Sequence, residues 1–149
     1  MQELYFDDFE TGQQFHSKGA TLSETQILDF ALLYDPQPFH LDVEAAAEGP
    51  FNGLIASGFQ TLSLAFRLFY QANVINACSM GSPGFDKLRW LRPVRPGDTL
   101  RVAATVQEIR PSRSKPDRGT LLMDYTVTNQ NGQPVMTFTA IHILARKAS

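Results

Sequence analysis

The sequence predicts an α+β fold in which a curved antiparallel sheet wraps around one long buried helix. Residues 57–75 form the longest helical candidate and are apolar on almost every side, which is typical of a helix buried on most of its surface. The last third alternates apolar and polar residues, which predicts a series of antiparallel strands. No linker or repeat divides the 149 residues, so we assign 1–149 to a single domain.

Two shorter helical segments precede the central helix. Residues 23–34 carry an apolar stripe at helical spacing, and Ser23 is a candidate N-cap. Two prolines then end this helix and predict an extended, non-helical backbone over residues 35–40. Residues 42–48 are predicted as a second short helix, capped by Asp42.

At least four strands are predicted after the central helix, over residues 85–92, 99–106, 121–127 and 136–144. Asn131-Gly132 is typical of a two-residue hairpin turn between the last two strands. A helix covers only the concave face of such a sheet, so the convex face and the edges need cover from loops or from another subunit. We therefore expect a homodimer or a higher homo-oligomer.

Charge is distributed unevenly along the chain. The net charge of −2 gives no drive toward nucleic acid or anionic lipid. Residues 1–66 contain ten acidic residues and only Lys18 as a basic one, whereas residues 86–118 contain nine basic residues against four acidic ones. This basic region suits a small anionic ligand such as a phosphorylated cofactor, or it balances the charge of a neighbouring acidic surface.

Compartment is indicated by the cysteine content and by the apolar segments. Cys78 is the only cysteine, so neither an intrachain disulfide nor a thiolate metal cluster can form within one chain, which fits a reducing compartment. The first residues have no basic start and no apolar run, so they predict no signal peptide. Polar residues interrupt the most apolar segment, 54–75, which predicts a buried helix and not a membrane span. We expect a cytoplasmic protein.

The segment Asp35-Pro36-Gln37-Pro38-Phe39-His40 places a carboxylate and an imidazole five residues apart. Two such groups that converge on one point can activate a water molecule or move a proton near neutral pH. The alternative is a proline-rich turn in which Asp35 ends a helix and His40 is exposed. His16 and His142 have no partner at a metal-ligand spacing, so we predict no metal site, and His142 is predicted as a hydrogen-bonded core or interface residue.

Three segments together resemble the MaoC-like dehydratase family, which includes (R)-specific enoyl-CoA hydratases. They are Tyr34-Asp35-Pro36-Gln37-Pro38-Phe39-His40-Leu41-Asp42, Gly53-Leu54-Ile55-Ala56-Ser57-Gly58-Phe59 and Leu88-Arg89-Trp90-Leu91-Arg92-Pro93-Val94-Arg95-Pro96-Gly97-Asp98-Thr99-Leu100. The first resembles the hydratase motif Asp-x-Asn-Pro-x-His, the second the entrance to the central helix, and the third a strand-turn-strand signature. The resemblance implies the hot-dog fold and a hydro-lyase that adds water to, or removes it from, the double bond of a 2-enoyl thioester.

The resemblance also implies that Asp35, His40 and Gly58 are catalytic. Asp35 and His40 would hold a water molecule from two sides, with one group taking a proton from it and the other supplying a proton to Cα. The sequence leaves open which group does which. Gly58, at the start of the central helix, would let the thioester oxygen approach unpaired backbone N–H groups. The alternative for Gly58 is close packing between the helix and the sheet.

Substrate binding is assigned to residues in the matched motifs and to basic residues that would meet the phosphates of a CoA moiety. They are Gln37, Ser57, Phe59, Arg89, Arg113 and Lys115, with Arg92 as a further basic candidate. The alternative for the basic loop, 110–119, is a solvated hairpin. Gln37 and Ser57 depart from the family pattern, which has asparagine and histidine there, and Ser57 is also a candidate N-cap of the central helix. Phe66 lies where some hydratases carry a serine.

The implied substrate is an acyl-CoA or an acyl-carrier thioester, with CoA as part of the substrate and no separate cofactor. Two other functions stay open at this point. A hot-dog thioesterase would polarise the same carbonyl group, and a non-catalytic module would bind acyl thioesters without turnover. Gln37 and Phe66 are the features that favour the non-catalytic module.

Overall fold

The computed structural model of the protein describes residues 3–148. A short 3-10 helix, Phe6–Asp8, precedes the regular elements. The helices are α1 (Glu24–Tyr34), α2 (Pro38–Leu41), α3 (Val43–Glu48) and α4 (Gly58–Gln71). The strands are β1 (Gln14–His16), β2 (Ala20–Thr21), β3 (Gly84–Trp90), β4 (Thr99–Pro111), β5 (Arg118–Thr128) and β6 (Pro134–Ala145).

The strands form an antiparallel sheet in the order β1-β4-β5-β6-β3, with β2 paired to one end of β4. The long strands β4, β5 and β6 alternate buried and partly exposed residues, as a sheet with one buried face requires. A register shift between Val106 and Glu108 adds local bending to β4. Ala65, Leu68 and Phe69 of α4 are buried in the same core as these strands. The predicted fold, a curved antiparallel sheet around one central helix, is confirmed.

The central helix is shorter and less buried than the sequence predicts. It spans Gly58–Gln71 rather than 57–75, and Ser57 is its N-cap, as predicted. The prediction that most of its surface is buried is wrong for one face, because Phe59, Phe66 and Tyr70 are 60%, 45% and 43% exposed. Within residues 3–148, no helix is long and apolar enough to cross a membrane.

Residues 35–40 are not extended throughout, so the prediction of a non-helical segment is wrong for its second half. Pro38 begins the one-turn helix α2, which contains His40. A proline at the first helical position has its φ already set and lacks an N–H that the helix would leave unpaired. The predicted extended backbone holds for Gln37, at φ −67° and ψ 141°. The turn carries His40 inward, where it is 5% exposed.

The remaining elements follow the predicted order with shifted bounds. Ser23 caps α1 by accepting a hydrogen bond from the backbone N–H of Gln26, and Asp42 caps α3, as predicted. The β5–β6 connection is longer than the predicted two-residue turn and spans residues 129–133. The Asn129 side chain accepts hydrogen bonds from two backbone N–H groups within this loop, and this local pairing stabilises the longer turn.

Candidate active site

A cavity of about 500 Å³ opens beside the N-terminus of α4. It lies where the end of α1, the turn α2, the start of α4 and the end of β3 meet. Its polar lining comes from Asp35, Gln37, His40, Thr61 and Arg92. Gly58 and mostly apolar or aromatic residues complete it: Phe39, Phe51, Ile55, Ala56, Phe59, Trp90, Leu91, Pro93 and Val94. Concave, mainly apolar sites with a few convergent polar groups are typical of small-molecule binding.

Asp35 is the C-cap of α1, and hydrogen-bond donors surround its carboxylate. Gln37 donates from Nε2 to Oδ1 over 2.8 Å, and Ser57 donates from Oγ to Oδ2 over 2.7 Å. Burial raises the pKa of Asp35, but the hydrogen bonds from Gln37 and Ser57 and the nearby His40 outweigh burial, so that the pKa lies below its usual value. Asp35 is therefore an anion near neutral pH.

His40 lies beside Asp35 with its ring orientation fixed. Nδ1 is 2.8 Å from the backbone carbonyl of Ile55, and a carbonyl can only accept, so Nδ1 carries a hydrogen. Nε2 lies 3.3 Å from Oδ2 of Asp35. In the neutral ring, Nε2 is thus an acceptor that faces a second acceptor, and in the imidazolium it is a donor to the carboxylate. The two predicted catalytic side chains converge in the cavity.

Ser57 and Gly58 place the start of α4 against this pair. Ser57 is fully buried, and its Oγ accepts a hydrogen bond from the backbone N–H of Phe59 over 3.2 Å while it donates to Asp35. Gly58 is the first residue of α4 and lines the cavity. Within residues 3–148, its N–H has no assigned acceptor. The N–H of Gly58, at the positive end of the helix dipole, can donate a hydrogen bond to a negatively charged oxygen.

Trp90 is a cavity residue that the sequence reasoning did not single out. Its indole Nε1 donates to the carbonyl of Gly58 over 3.1 Å, and its ring meets that of Phe59 edge to face at 6.2 Å. Trp90 is the only tryptophan in the chain and lies inside the third matched segment, and these were the available signals. Phe59, predicted to bind substrate, lines the cavity as well.

Three of the basic residues assigned to substrate binding do not line this cavity within one chain. Arg89, Arg113 and Lys115 are exposed outside it, whereas Arg92 is part of its lining. The sheet explains why the loop with Arg113 is remote. Trp90 aligns through β6 and β5 with Val102 on β4, and the loop follows Pro111, about 30 Å further along that strand.

Other singled-out residues lie apart from the cavity. Phe66 is outside its lining, and His16 is exposed. His142 is 3% exposed and lies 2.6 Å from the hydroxyl of Tyr125, so the prediction of a hydrogen-bonded core residue is confirmed. Burial lowers the pKa of His142 to about 4, which keeps the ring neutral. No group of three or more potential ligands that could hold a metal ion occurs among residues 3–148.

Comparison with known proteins places these motifs in one family. The family model of the MaoC-like domain matches residues 8–129. The 3-hydroxybutyryl-CoA dehydratase of Methylorubrum extorquens is 30% identical over 120 residues, which are 77% of this chain and 71% of that protein.

Two solved structures resemble the fold over nearly the whole chain. A MaoC-like dehydratase from Rhodospirillum rubrum superposes with a TM-score of 0.91 at 36% identity, covering 98% of this chain and 99% of that one. An R-hydratase from Pseudomonas aeruginosa superposes with a TM-score of 0.72 at 28% identity, covering 98% and 88%. The similarity therefore extends well beyond the residues that line the cavity.

Proposed function

This chain belongs to the MaoC-like domain family, and we propose on that basis that it hydrates the double bond of a 2-enoyl thioester or, in reverse, dehydrates a 3-hydroxyacyl thioester. The observation that carries the proposal is the convergence of Asp35 and His40, 3.3 Å apart, in a cavity that Gly58 also lines. The names of the relatives support hydro-lyase chemistry, and the enoyl-CoA substrate is our inference from the cavity and the basic residue at its rim.

The two side chains suit a water molecule as their shared ligand. The Asp35 carboxylate and neutral His40 Nε2 are both acceptors, so a water between them can donate one hydrogen to each. Its oxygen lone pair then remains free to attack Cβ of the enoyl group. The pair takes one proton from the water and supplies one to Cα, so its protonation is unchanged over a turnover. Groups positioned in this way typically contribute about 10²- to 10⁴-fold in rate.

Gly58 supplies the third requirement, which is stabilisation of the charge that develops on the thioester oxygen. Attack at Cβ shifts electron density onto this oxygen before Cα is protonated. A backbone N–H at the start of α4 can donate to the oxygen, and the helix dipole favours the negative charge there. One donor of this type is typically worth about 10²- to 10³-fold in rate.

Arg92 is our candidate for the contact with the carrier. It is exposed and belongs to the cavity lining, so it can meet a phosphate of CoA or of an acyl-carrier group. The proposed reaction only moves protons and adds water, so it needs no cofactor beyond the CoA that belongs to the substrate. We further propose an (R)-3-hydroxyacyl product, in line with the R-hydratase from Pseudomonas aeruginosa, and a cytoplasmic location.

The test is hydration of crotonyl-CoA, followed by loss of enoyl absorbance and by chiral analysis of the product. Asp35→Asn and His40→Gln should each lower kcat by about 10²-fold or more with the fold intact. The matched controls are Asp29→Asn, at an exposed position of α1, the helix that Asp35 ends, and His16→Gln, on β1. Full activity in either site variant would remove the assignment.

A thiol-trapping dye in the same assay separates the two other functions. Release of free CoA without hydration would identify a thioesterase. Tight binding of crotonyl-CoA with neither product would identify a binding module. Both outcomes contradict the hydratase proposal, and a panel of acyl lengths then defines the substrate.

A further inference from the structure

Ser57 lies between the two halves of the candidate site. Its side chain is fully buried, and its Oγ is 2.7 Å from Oδ2 of Asp35 and 3.2 Å from the backbone nitrogen of Phe59. The N–H of Phe59 occupies a lone pair of the hydroxyl oxygen, so the single hydroxyl hydrogen is left for Asp35. Ser57 therefore binds the carboxylate as a donor.

The main chain of Ser57 is fixed at the start of α4. Its carbonyl accepts hydrogen bonds from the backbone N–H groups of Gln60 and Thr61, over 3.0 and 3.1 Å. The next residue is Gly58, so a single side chain joins the carboxylate at the end of α1 to the amide at the start of α4. A second bond between these helices, from the side chain of Gln60 to the carbonyl of Gln26, lies near the other end of α1 and does not contact Asp35.

We propose that Ser57 is a positioning residue. Its hydroxyl donates to the Asp35 carboxylate and so holds that carboxylate in place relative to the N–H of Gly58. Asp35 and Gly58 act on different atoms of the substrate, Cβ and the thioester oxygen. Their separation therefore has to match that of the reacting atoms, and a misplacement of about 1 Å can cost up to about 10²-fold in rate. The predicted effect on rate rests on the proposed function, whereas the predicted effects on the position and the ionisation of Asp35 do not.

A role as helix cap alone is the alternative, and the chain offers a matched control for it. Ser23 also caps a helix with its hydroxyl, which accepts a hydrogen bond from the backbone N–H of Gln26, the third residue of α1, over 3.1 Å. It is exposed and lies outside the cavity lining. Replacing either serine by alanine removes a cap and should lower Tm. Only the replacement at position 57 also removes a donor from Asp35.

The experiment compares Ser57→Ala, Ser57→Thr and Ser23→Ala with the unchanged protein. The pKa of Asp35 is measured by carbon-13 NMR titration of its carboxyl group, assigned with Asp35→Asn, and kcat and KM are measured with crotonyl-CoA. Ser57→Ala should raise the pKa of Asp35 and lower kcat by up to about 10²-fold, with KM changed less than kcat. Ser57→Thr keeps the hydroxyl, so its Asp35 pKa and its kcat should lie closer to those of the unchanged protein than the values of Ser57→Ala do. Ser23→Ala should change neither this pKa nor kcat.

An unchanged pKa of Asp35 in Ser57→Ala, or an equal loss of kcat in Ser57→Ala and Ser23→Ala, would overturn the proposal. If no enoyl thioester is hydrated by the unchanged protein, the proposed function fails, and the titration alone decides the role of Ser57. If Ser57→Ala does not fold, Ser57→Cys replaces it, because a thiol of similar size is only a weak donor.

Discussion

The indole ring of Trp90 lies directly against Gly58. A Cβ atom at position 58 would be 2.4 Å from Cε2 and 2.5 Å from Nε1 of Trp90, closer than carbon and nitrogen atoms approach one another without a bond. Only glycine therefore allows the ring to take this position, and the same residue also lines the cavity. The two interpretations of Gly58 from the sequence are compatible, because the same small residue serves the packing of the ring and the proposed oxygen site.

Gly58→Ala should displace the Trp90 ring, which is 48% exposed and so is not enclosed by the core. We expect a shift of the tryptophan emission spectrum, a loss of about 1–3 kcal/mol in the free energy of unfolding from overpacking, and a fall in kcat. Trp90 is the only tryptophan, so the emission reports this ring alone.

Gly49→Ala is the control for this substitution. A Cβ at position 49, the C-cap of α3, would lie 3.4 Å from the nearest atom, the carbonyl oxygen of Ala45, so the added methyl fits. We expect unchanged emission and activity. Unchanged emission in Gly58→Ala as well would show that the ring does not rest on Gly58 in solution.

We expect substrate affinity to change when Arg92 is replaced and to stay the same when Arg113 and Lys115 are replaced. Arg92→Glu should raise KM for crotonyl-CoA by about tenfold, because a phosphate contact at the cavity rim would become repulsive. The double variant Arg113→Glu/Lys115→Glu should leave KM unchanged, since this loop lies at the far end of the sheet. A raised KM in the double variant would instead support the assignment of this loop from the sequence.

Edge strand β3 is expected to take part in self-association. It pairs with β6 on one side only in the chain described, and Phe85 and Trp90 on this strand are 42% and 48% exposed. Exposed apolar residues on an unpaired edge favour a partner. Light scattering after size exclusion should give at least twice the chain mass of 16.6 kDa. Phe85→Asp should lower that mass and Phe85→Tyr should not, whereas a monomeric unchanged protein would contradict the prediction.

Local patterns in the sequence are sufficient to predict the helix starts and the proximity of Asp35 and His40, the proposed catalytic pair. The caps at Ser23, Asp42 and Ser57 depend on a side chain and the next two or three residues, and all three occur in the structure. Asp35 and His40 are five residues apart with two prolines between them, which allows few arrangements of their side chains. The one-turn helix α2 is an arrangement that the sequence prediction excluded. A proline that starts a helix and a proline that prevents one have the same local sequence signal.

Contacts between distant segments cannot be predicted from local sequence patterns. The hydrogen bond from Ser57 to Asp35 spans 22 positions, and the contact of Trp90 with Gly58 spans 32. Both depend on how α1 and β3 are placed around the start of α4, which only the folded sheet determines. The positive charge of Arg113 likewise carries no information on distance. Within one chain, the register of β4 and β5 places its loop at the far end of the sheet from this cavity.

As the pH is lowered, the titration of His142 should destabilise the fold before the titration of the carboxylates does. Burial lowers the pKa of His142 from its usual 6.5 to about 4, so the folded chain binds this proton less readily than the unfolded chain does. Between these values, the unfolded chain gains a proton that the folded chain lacks, so the free energy of unfolding falls as pH is lowered, by up to about 3 kcal/mol. Asp7, Asp35 and Asp117 have lowered pKa values and lose their contribution only below about pH 3.8.

Urea unfolding at intervals from pH 7 to pH 4 measures this slope. His142→Gln removes the titrating ring, so its free energy of unfolding should vary less with pH over this window, even if packing against Tyr125 is weakened. His16→Gln, at an exposed position, should keep the slope of the unchanged protein. Because both variants lose one histidine, a flattened slope in both, or in neither, would show that the burial of His142 is not the source of the pH dependence.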